Sequence, residues 1–369
     1  MTDRPLIAVL GASGFVGSAV LTALADRPVT VRAVSRRSAV TPEPAAADFE
    51  VVTADLTETG AVAAAVEGAD AVINLVLNTA GWRSADGDGT AARVNLGVVR
   101  DLVEVARAGA GPRVVVFAGS ASQVGRAQRM PVDGTEPDHP ETGYDRQKAA
   151  AEALLDRASA EGVLRGVTLR LPTVFGPARP GGGDDRGVVS TMIRRALAGE
   201  PLTMWHDGTI QRELLYVDDA ASAFVAALDH ADALVCRHWP LGSRRGEPVG
   251  DLFRTIAALV AEETGRPPVP VVSVAPPASA RQTDFHSLVV DASAFTAVTG
   301  WRAQVDLLHG LRRTVRSLSE TRLDLGADLV PGEHPGRVGL GEGDRGPVPI
   351  RQDRLDVGGN GQAERVVER

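Results

Sequence analysis

The sequence predicts an α/β protein in which a doubly wound parallel sheet is followed by a smaller, mixed α/β domain. Short apolar runs alternate with helical patterns from Leu6 to Leu171, an order that is typical of parallel strands joined by helical crossovers. After Phe175-Gly176-Pro177 the alternation loosens. Mixed helices and short strands broken by prolines extend from about Glu247 to Arg316, and they favour a second domain of different construction.

Each element follows from the spacing of apolar residues. The short apolar runs predict strands at Leu6–Leu10, Val29–Val34, Phe49–Val52, Ala71–Val76, Val114–Ala118, Val167–Leu171 and Glu213–Val217. Apolar residues at helical spacing predict helices at Val16–Leu24, Ala91–Ala108, Asp145–Ala160, Val188–Leu197 and Ala220–Leu228.

These elements predict how the chain divides into domains. Residues 1–176 and 213–241 are expected to form the sheet domain, and residues 177–212 and 242–322 the second domain. Residues 323–369 are rich in Gly, Pro and charge without apolar periodicity, which predicts a tail that is disordered or loosely attached.

Composition excludes several classes of function. A net charge of -8 over 369 residues argues against a nucleic-acid surface. No apolar run approaches the roughly 20 residues of a membrane helix, and the amino end does not resemble a signal peptide. Cys236 is the only cysteine, so no intrachain disulfide forms and a cytoplasmic location is expected. The seven histidines show no metal-ligand spacing, and no metal site is predicted.

The turn after the first predicted strand carries Gly11, Gly14 and Gly17. Glycine permits a tight turn and lets the backbone approach a pyrophosphate closely, which then lies at the N-terminus of the following helix. The strand–turn–helix–strand context is the one that a dinucleotide fingerprint requires, although the spacing is not GxGxxG. The alternative is a glycine-rich turn that binds no ligand.

The end of the second predicted strand bears on which coenzyme binds. NAD enzymes usually carry an acidic residue here, whereas this chain has Ser35-Arg36-Arg37. An arginine can pair with a 2′-phosphate and a serine can donate to it, so NADPH is favoured. The alternative is that the two arginines only solvate the strand end. Asp55 and Leu56 follow the third strand and are expected to border the adenine.

Three polar residues form a candidate catalytic group. Tyr144 and Lys148 are four residues apart, so in a helix they lie on one face. The lysine charge is expected to lower the phenol pKa from about 10, which suits proton transfer to a carbonyl oxygen. Ser120 ends a predicted strand and could donate to the same oxygen. Taken singly, the Tyr–Lys spacing arises by chance in many helices, and a loop serine is ordinary.

Together these motifs resemble the extended branch of the short-chain dehydrogenase/reductase superfamily, the nucleotide-sugar epimerase/dehydratase/reductase group, whose nucleotide domain is a Rossmann fold. The resemblance spans about Leu6 to Arg316. It rests on blocks that occur in the family's order: Gly11–Gly17, Gly119–Gly125, Tyr144 with Lys148, Arg170–Pro177, Tyr216–Asp219 and Thr299–Trp301.

The resemblance implies a set of binding residues. Coenzyme contacts are expected from Gly11, Ser13, Gly14, Phe15, Val16, Gly17, Ser35, Arg36, Arg37, Asp55, Leu56, Leu75, Tyr144, Lys148 and Pro172. Substrate contacts are expected from Ser120, Thr173, Thr203, Trp205, Arg212 and Arg281. The two arginines of that second set would bind the diphosphate of a nucleotide sugar; the alternative is that they are ordinary surface arginines.

Departures from the family pattern narrow the expected reaction. Nucleotide-sugar 4,6-dehydratases carry an Asp-Glu pair where this chain has Ala121 and Ser122, so water elimination lacks its acid and base. The blocks are most similar to actinobacterial 4-ketoreductases of antibiotic deoxysugar biosynthesis, which reduce dTDP-4-keto-6-deoxyhexoses. An NADPH-dependent reduction is therefore expected. A 4-epimerase that retains NAD and a non-catalytic NADP-binding regulator are the alternatives, and relatives suggest a homodimer through the helices at 91–108 and 145–160.

Overall fold

A parallel sheet forms the centre of the structure, a computed structural model that describes residues 4–78, 89–109, 111–278 and 280–327. The strands within these ranges are β1 (Leu6–Leu10), β2 (Thr30–Ser35), β3 (Asp48–Thr53), β4 (Ala71–Asn74), β5 (Val114–Ser120), β6 (Arg165–Leu171), β7 (Thr173–Phe175), β8 (Leu202–Met204), β9 (Gln211–Tyr216), β10 (Arg237–Pro240), β11 (Gly246–Pro248) and β12 (Val271–Ser273).

Helices connect and cover these strands. Within the same ranges they are α1 (Phe15–Leu24), α2 (Ala61–Val66), α3 (Gly89–Ala92), α4 (Val98–Arg107), α5 (Gly143–Ala160), α6 (Val188–Ala198), α7 (Val217–Asp229), α8 (Ala231–Leu234), α9 (Val249–Thr264), α10 (Ser293–Thr299) and α11 (Leu307–Ala327). No helix in the described part of the chain combines the length and apolar character needed to span a bilayer.

The strand order confirms the predicted fold class. Seven of the described strands form one sheet in the order β10-β6-β5-β4-β1-β2-β3, and every neighbouring pair is parallel. The order reverses between β1 and β4, which is the place where doubly wound folds bind ligands beyond the carboxyl ends of their strands. Two small sheets, β11-β9-β7 and β12-β8, come from the later part of the chain.

Both faces of the central strands β1, β4 and β5 are buried, which explains why these strands are almost continuously apolar. Successive side chains point to opposite faces: Val9 and Val116 belong to the core cluster shared with α1 and α7. Leu10 and Phe117 belong to the cluster shared with α4 and α5. Each fully buried side chain of this size contributes about 1.5–3 kcal/mol, so the position of these helices on the sheet is strongly favoured.

The predicted boundaries differ from the observed ones mostly by one to three residues. The largest difference is the helix predicted at Ala91–Ala108, which is divided by a π-helical turn at Arg93–Gly97. Such turns insert an extra residue into a helix and often occur at functional sites. At the other end of the chain α11 continues to Ala327, beyond the predicted start of the tail, and residues 328–369 lie outside the described residues. The predicted domain limits stay a prediction.

The glycine turn allows a test of the packing between β1 and α1. A Cβ on Gly17 would lie 2.1 Å from the carbonyl oxygen of Gly11, so Gly17→Ala must displace the backbone. We expect a loss of about 1–3 kcal/mol in the free energy of unfolding, measured by urea denaturation. Gly89→Ala is the matched control, because its Cβ would meet nothing within 4 Å. Equal stability of the two variants would contradict this account of the turn.

Candidate active site

The turn after β1 is shaped as a cradle for a phosphate group. Gly11 has a φ of 86° and donates its N–H to the Val34 carbonyl at 2.9 Å. A Cβ on Gly14 would lie 2.9 Å from the Gly11 oxygen, so a side chain at position 14 would clash with the backbone of the turn. No side chain caps the N-terminus of α1, whose first N–H groups can therefore bind an anion. These residues fit a dinucleotide.

The remaining residues expected around the dinucleotide lie at the same end of the sheet. Ser13 belongs to the turn itself, and Phe15 and Val16 form the first turn of α1. A Cβ on Gly11 would lie 3.1 Å from the carbonyl group of Leu75, so the segments that follow β1 and β4 are in contact. The structure thus brings the glycine turn and Leu75 together at the point where the strand order reverses.

A second glycine segment packs on this turn. A Cβ on Gly183 would lie 3.1 Å from the backbone nitrogen of Phe15, and one on Gly182 would lie 2.6 Å from Ser18 Oγ. The sequence analysis did not assign this segment to the site. Its three consecutive glycines, Gly181–Gly183, allow close backbone contact and could have indicated that the segment belongs to the site.

Ser35, the last residue of β2, does not present the free hydroxyl donor that was expected. Its hydroxyl is buried and donates to the Arg37 carbonyl at 2.7 Å, so its proton is not available to the 2′-phosphate as predicted. Arg36 and Arg37 are exposed, and their contact with a 2′-phosphate stays a prediction. Hydrogen bonds from Thr57, followed by the charge of Arg36, lower the pKa of Asp55, which places Arg36 near that carboxylate.

Ser120, Tyr144 and Lys148 come together beside β5. Tyr144 lies in the first turn of α5 and hydrogen-bonds with Ser120, the last residue of β5. Lys148 lies one turn later, 3% exposed, and its Nζ donates to the Ala118 carbonyl at 2.8 Å. The Nζ is 5.9 Å from the centroid of the Tyr144 ring. The predicted catalytic group is therefore assembled in one place.

The electrostatics of this group differ from the prediction. Burial raises the pKa of Tyr144 to about 12, and the charge of Asp145 adds to the rise. Burial also lowers the pKa of Lys148 to about 7. The expectation that Lys148 lowers the phenol pKa was wrong for this structure, because desolvation penalises both charged forms. At neutral pH the Tyr144 phenol is thus protonated and can act as an acid.

A hydroxyl chain extends from Ser120 that the sequence analysis did not foresee. Ser120 Oγ is 2.7 Å from Ser122 Oγ, and Ser122 Oγ donates to Asp145 Oδ1 at 2.5 Å. The second oxygen of Asp145 accepts a hydrogen bond from the hydroxyl of Thr142, the N-cap of α5, at 2.6 Å. The Thr-x-x-Asp spacing of a capping box could have indicated the contact between Thr142 and Asp145, but not the contact with Ser122.

Asn95 is a further residue that the sequence analysis missed. It is 2% exposed and lies in the π-helical turn. Its Oδ1 accepts the N–H of Asn78 at 2.9 Å, and its Nδ2 donates to Gln147 Oε1 at 2.7 Å. Asn95 therefore links the segment after β4 to α5, next to Lys148. A sequence pattern at helical spacing does not reveal a π-helical turn, so this link could not be predicted.

A buried ion network continues along the face of α5 that carries Tyr144 and Lys148. Arg170 of β6 is 3% exposed and binds both carboxylate oxygens of Glu152, at 2.6 and 3.0 Å. The same guanidinium binds Asp138 at 2.6 and 2.7 Å. Gln123 donates to Glu152 at 3.3 Å and accepts the backbone N–H of Ser120 at 2.9 Å. The network thereby fixes the backbone of Ser120 relative to α5.

The residues expected on the substrate side occupy the later strands and loops. Arg212 in β9 donates to the carbonyls of Thr283, Asp284 and His286, and burial lowers its pKa. It therefore holds the loop that begins at Arg281, which is exposed. This engagement of Arg212 with backbone carbonyls was not predicted.

Four other predicted residues are partly buried. Pro172 connects β6 to β7, and Thr173 begins β7, where it pairs with Leu214 of β9. Thr203 lies in the middle of β8, and Trp205 follows that strand. Among the described residues no group of His, Cys, Asp and Glu is arranged to hold a metal ion.

Comparison with known proteins agrees with this geometry. The profile of the NAD dependent epimerase/dehydratase family matches residues 7–242. A UDP-glucose 4-epimerase of Mycolicibacterium smegmatis is 30% identical over 322 residues, which cover 83% of this chain and 96% of that protein. A dTDP-6-deoxy-L-talose 4-dehydrogenase (NAD(P)(+)) of Kitasatospora kifunensis is 26% identical over 331 residues, covering 85% of this chain and 94% of that protein.

A solved structure shows the same architecture. MoeE5 in complex with UDP-glucose and NAD superimposes with a TM-score of 0.71 at 26% identity, covering 87% of this chain and 99% of that one. The matched region of the family profile contains the glycine turn, Ser120, Tyr144 and Lys148. The chain therefore belongs to the NAD dependent epimerase/dehydratase family, as its motifs predicted.

Proposed function

We propose that this chain is an NADPH-dependent ketoreductase that reduces the C4 ketone of a dTDP-4-keto-6-deoxyhexose to the 4-hydroxy sugar. The observation that carries the proposal is the end of β2, where Arg36 and Arg37 are exposed and directly follow the strand. Guanidinium groups bind phosphate through paired, charge-assisted hydrogen bonds, so they favour a coenzyme with a 2′-phosphate. Such a coenzyme enters reduced and leaves oxidised, which suits a net reduction.

The substrate class is supported by one relative and by the arginines of the later loops. The similar Kitasatospora kifunensis protein is a dTDP-6-deoxy-L-talose 4-dehydrogenase, which interconverts a ketone and an alcohol on a sugar of this class. Arg281 begins the loop that Arg212 holds through three carbonyls. Positive charge at this loop suits a sugar diphosphate.

The chemistry follows from the state of the three central residues. When bound, the coenzyme supplies a hydride to C4. Tyr144, a phenol at neutral pH because burial raises its pKa to about 12, gives its proton to the O4 oxygen. Ser120 hydrogen-bonds with Tyr144 and steadies the oxygen that receives the proton. The charged form of Lys148, 5.9 Å from the phenol ring, stabilises the phenolate that remains.

A nucleotide-sugar 4-epimerase is the second candidate. The 30% identity to a UDP-glucose 4-epimerase favours it, and so does the structural similarity to a protein that binds UDP-glucose and NAD. An epimerase oxidises its substrate first, so its tyrosine must begin by accepting a proton. A ketoreductase begins instead by giving a proton, and only its reaction consumes added coenzyme.

Purified protein mixed with NADPH and a freshly prepared dTDP-4-keto-6-deoxyhexose should consume coenzyme in step with loss of the ketone. NMR of the product should show a new hydrogen on C4. Tyr144→Phe should reduce the rate by about 100-fold or more, since it removes the general acid, while NADPH affinity changes little. Interconversion of two sugars without added coenzyme would contradict the proposal and support the epimerase.

The 2′-phosphate assignment has a separate test. Arg36→Asp should weaken NADPH binding about 10- to 100-fold, because a charge-assisted hydrogen bond is lost and a like charge is introduced. Binding of NADH should change much less, and fluorescence titration with each coenzyme measures both affinities. Arg113→Asp is the matched control, since this exposed residue directly precedes β5 and so lies at the amino ends of the parallel strands, away from the carboxyl end of β2. Equal losses for both coenzymes would rule out the contact.

A further inference from the structure

An uninterrupted row of oxygen atoms joins the Tyr144 phenol to a buried carboxyl group. Tyr144 hydrogen-bonds with Ser120. Ser120 Oγ lies 2.7 Å from Ser122 Oγ, and Ser122 Oγ lies 2.5 Å from Asp145 Oδ1. Every link is within hydrogen-bond distance, so a proton can pass from one oxygen to the next along the whole row.

Helix capping accounts for only one of the two oxygens of Asp145. Oδ2 accepts from the hydroxyl of Thr142 at 2.6 Å and from its N–H at 3.3 Å, which completes the cap of α5. Oδ1 accepts from Ser122, which lies outside the helix. A carboxyl group needed only for the cap would have no reason to hold a hydroxyl row that ends at Tyr144.

The surroundings of Asp145 suit a group that exchanges protons. Asp145 is 1% exposed, and this burial raises the pKa of its carboxyl group, with a smaller contribution from the charge of Glu141. Its protonated form is therefore more accessible near neutrality than that of a surface aspartate. Ser122 is only partly buried, so water can replenish the row between turnovers.

We infer that Asp145 stores and returns the proton of Tyr144 through Ser122 and Ser120. After Tyr144 has given its proton to the substrate oxygen, the phenolate takes the hydroxyl proton of Ser120. Ser120 then takes that of Ser122. While Asp145 is protonated, its carboxyl O–H donates to Ser122 Oγ, the reverse of the hydrogen bond that the carboxylate accepts, so Ser122 takes the proton of the Asp145 carboxyl group. Three O–H bonds break and three form, and Asp145 is left as the carboxylate. In the oxidative direction each transfer is reversed.

This inference rests on the acid–base role of Tyr144 in the proposed function, because a net reduction consumes one proton per turnover whereas an epimerisation returns it. Asp145 touches neither substrate nor coenzyme in this scheme, so its effect must appear in the return of the proton. The first turnover uses the proton already present on Tyr144. Later turnovers depend on the row.

Asp145→Asn and Ser122→Ala are the decisive variants. Asparagine can still hydrogen-bond with Thr142 and Ser122 but has no carboxyl proton to exchange, and alanine removes the middle of the row. With enzyme in excess over the ketone, both variants should oxidise NADPH within about twofold of the wild-type rate. With substrate in excess, kcat should fall by about tenfold or more. Stopped-flow absorbance measures both rates.

Two controls separate proton return from a structural effect. Asp156→Asn makes the same change elsewhere on α5, away from the row, and Ser122→Thr keeps the hydroxyl; both should preserve the ratio of the two rates. A parallel fall of both rates in Asp145→Asn, or an unchanged ratio, would overturn the inference.

A titration tests the link without any turnover. The chain has two tyrosines, so a Tyr216→Phe background leaves Tyr144 as the only phenol, observed by NMR of ¹³C-labelled tyrosine. The titration is read at about one pH unit above the ordinary tyrosine pKa of about 10. There the Asp145→Asn variant should have a larger fraction of Tyr144 as phenolate than the Tyr216→Phe parent, because the substitution removes a negative charge beside the phenol. If the wild-type protein reduces no ketone, the proposed function fails, but the titration still tests the link between Asp145 and Tyr144. Equal phenolate fractions in the two proteins would overturn that link.

Discussion

The burial of charged groups between α5 and the carboxyl end of β5 is the constraint on which the site depends. Tyr144, Lys148 and Glu152 recur every four residues, so one face of α5 carries all three against the sheet. The Lys148 ammonium donates a hydrogen bond to the Ala118 carbonyl, and the Glu152 carboxylate pairs with the Arg170 guanidinium. Leaving a buried charge unpaired costs about 3–5 kcal/mol, so α5 has little freedom to rotate or slide. The position of the phenol is a consequence of these pairs.

The same burial sets the chemistry of the site. Because low polarity penalises any charged form, the pKa of the phenol rises while that of the neighbouring ammonium falls. At rest the site therefore holds the neutral Tyr144 phenol beside the Lys148 amine, which is about half protonated near pH 7. A resting phenol is ready to protonate a carbonyl oxygen, whereas an alcohol substrate would first require the phenolate. The protonated state of the phenol is thus set by desolvation rather than by the lysine charge that the helix spacing suggested.

What the sequence could predict depends on whether the determining contact is local. The glycine turn and the Tyr144–Lys148 pair are set by spacings within one element, so their positions could be predicted. Asp145 was overlooked because its partner Ser122 lies 23 residues away in the chain, and only the fold brings the two together. Asn95 depends on a π-helical turn that hydrophobic periodicity does not reveal. The pKa direction of Tyr144 was mispredicted because burial, which a sequence does not give, outweighed a charge that it does.

The fold of this family does not by itself decide the reaction, since the chain is similar both to a 4-epimerase and to a 4-dehydrogenase. The reaction depends instead on the side chains at the carboxyl ends of the strands, where such folds place their chemistry. In this chain the position after Ala121 holds a hydroxyl, Ser122, and the carboxyl group comes instead from Asp145 on α5, one residue after the phenol. A carboxyl group reached through a hydroxyl cannot attack a sugar directly, but it can exchange protons with the tyrosine. That arrangement suits a catalyst whose only acid–base requirement is one proton per turnover, which is what the reduction of a ketone demands.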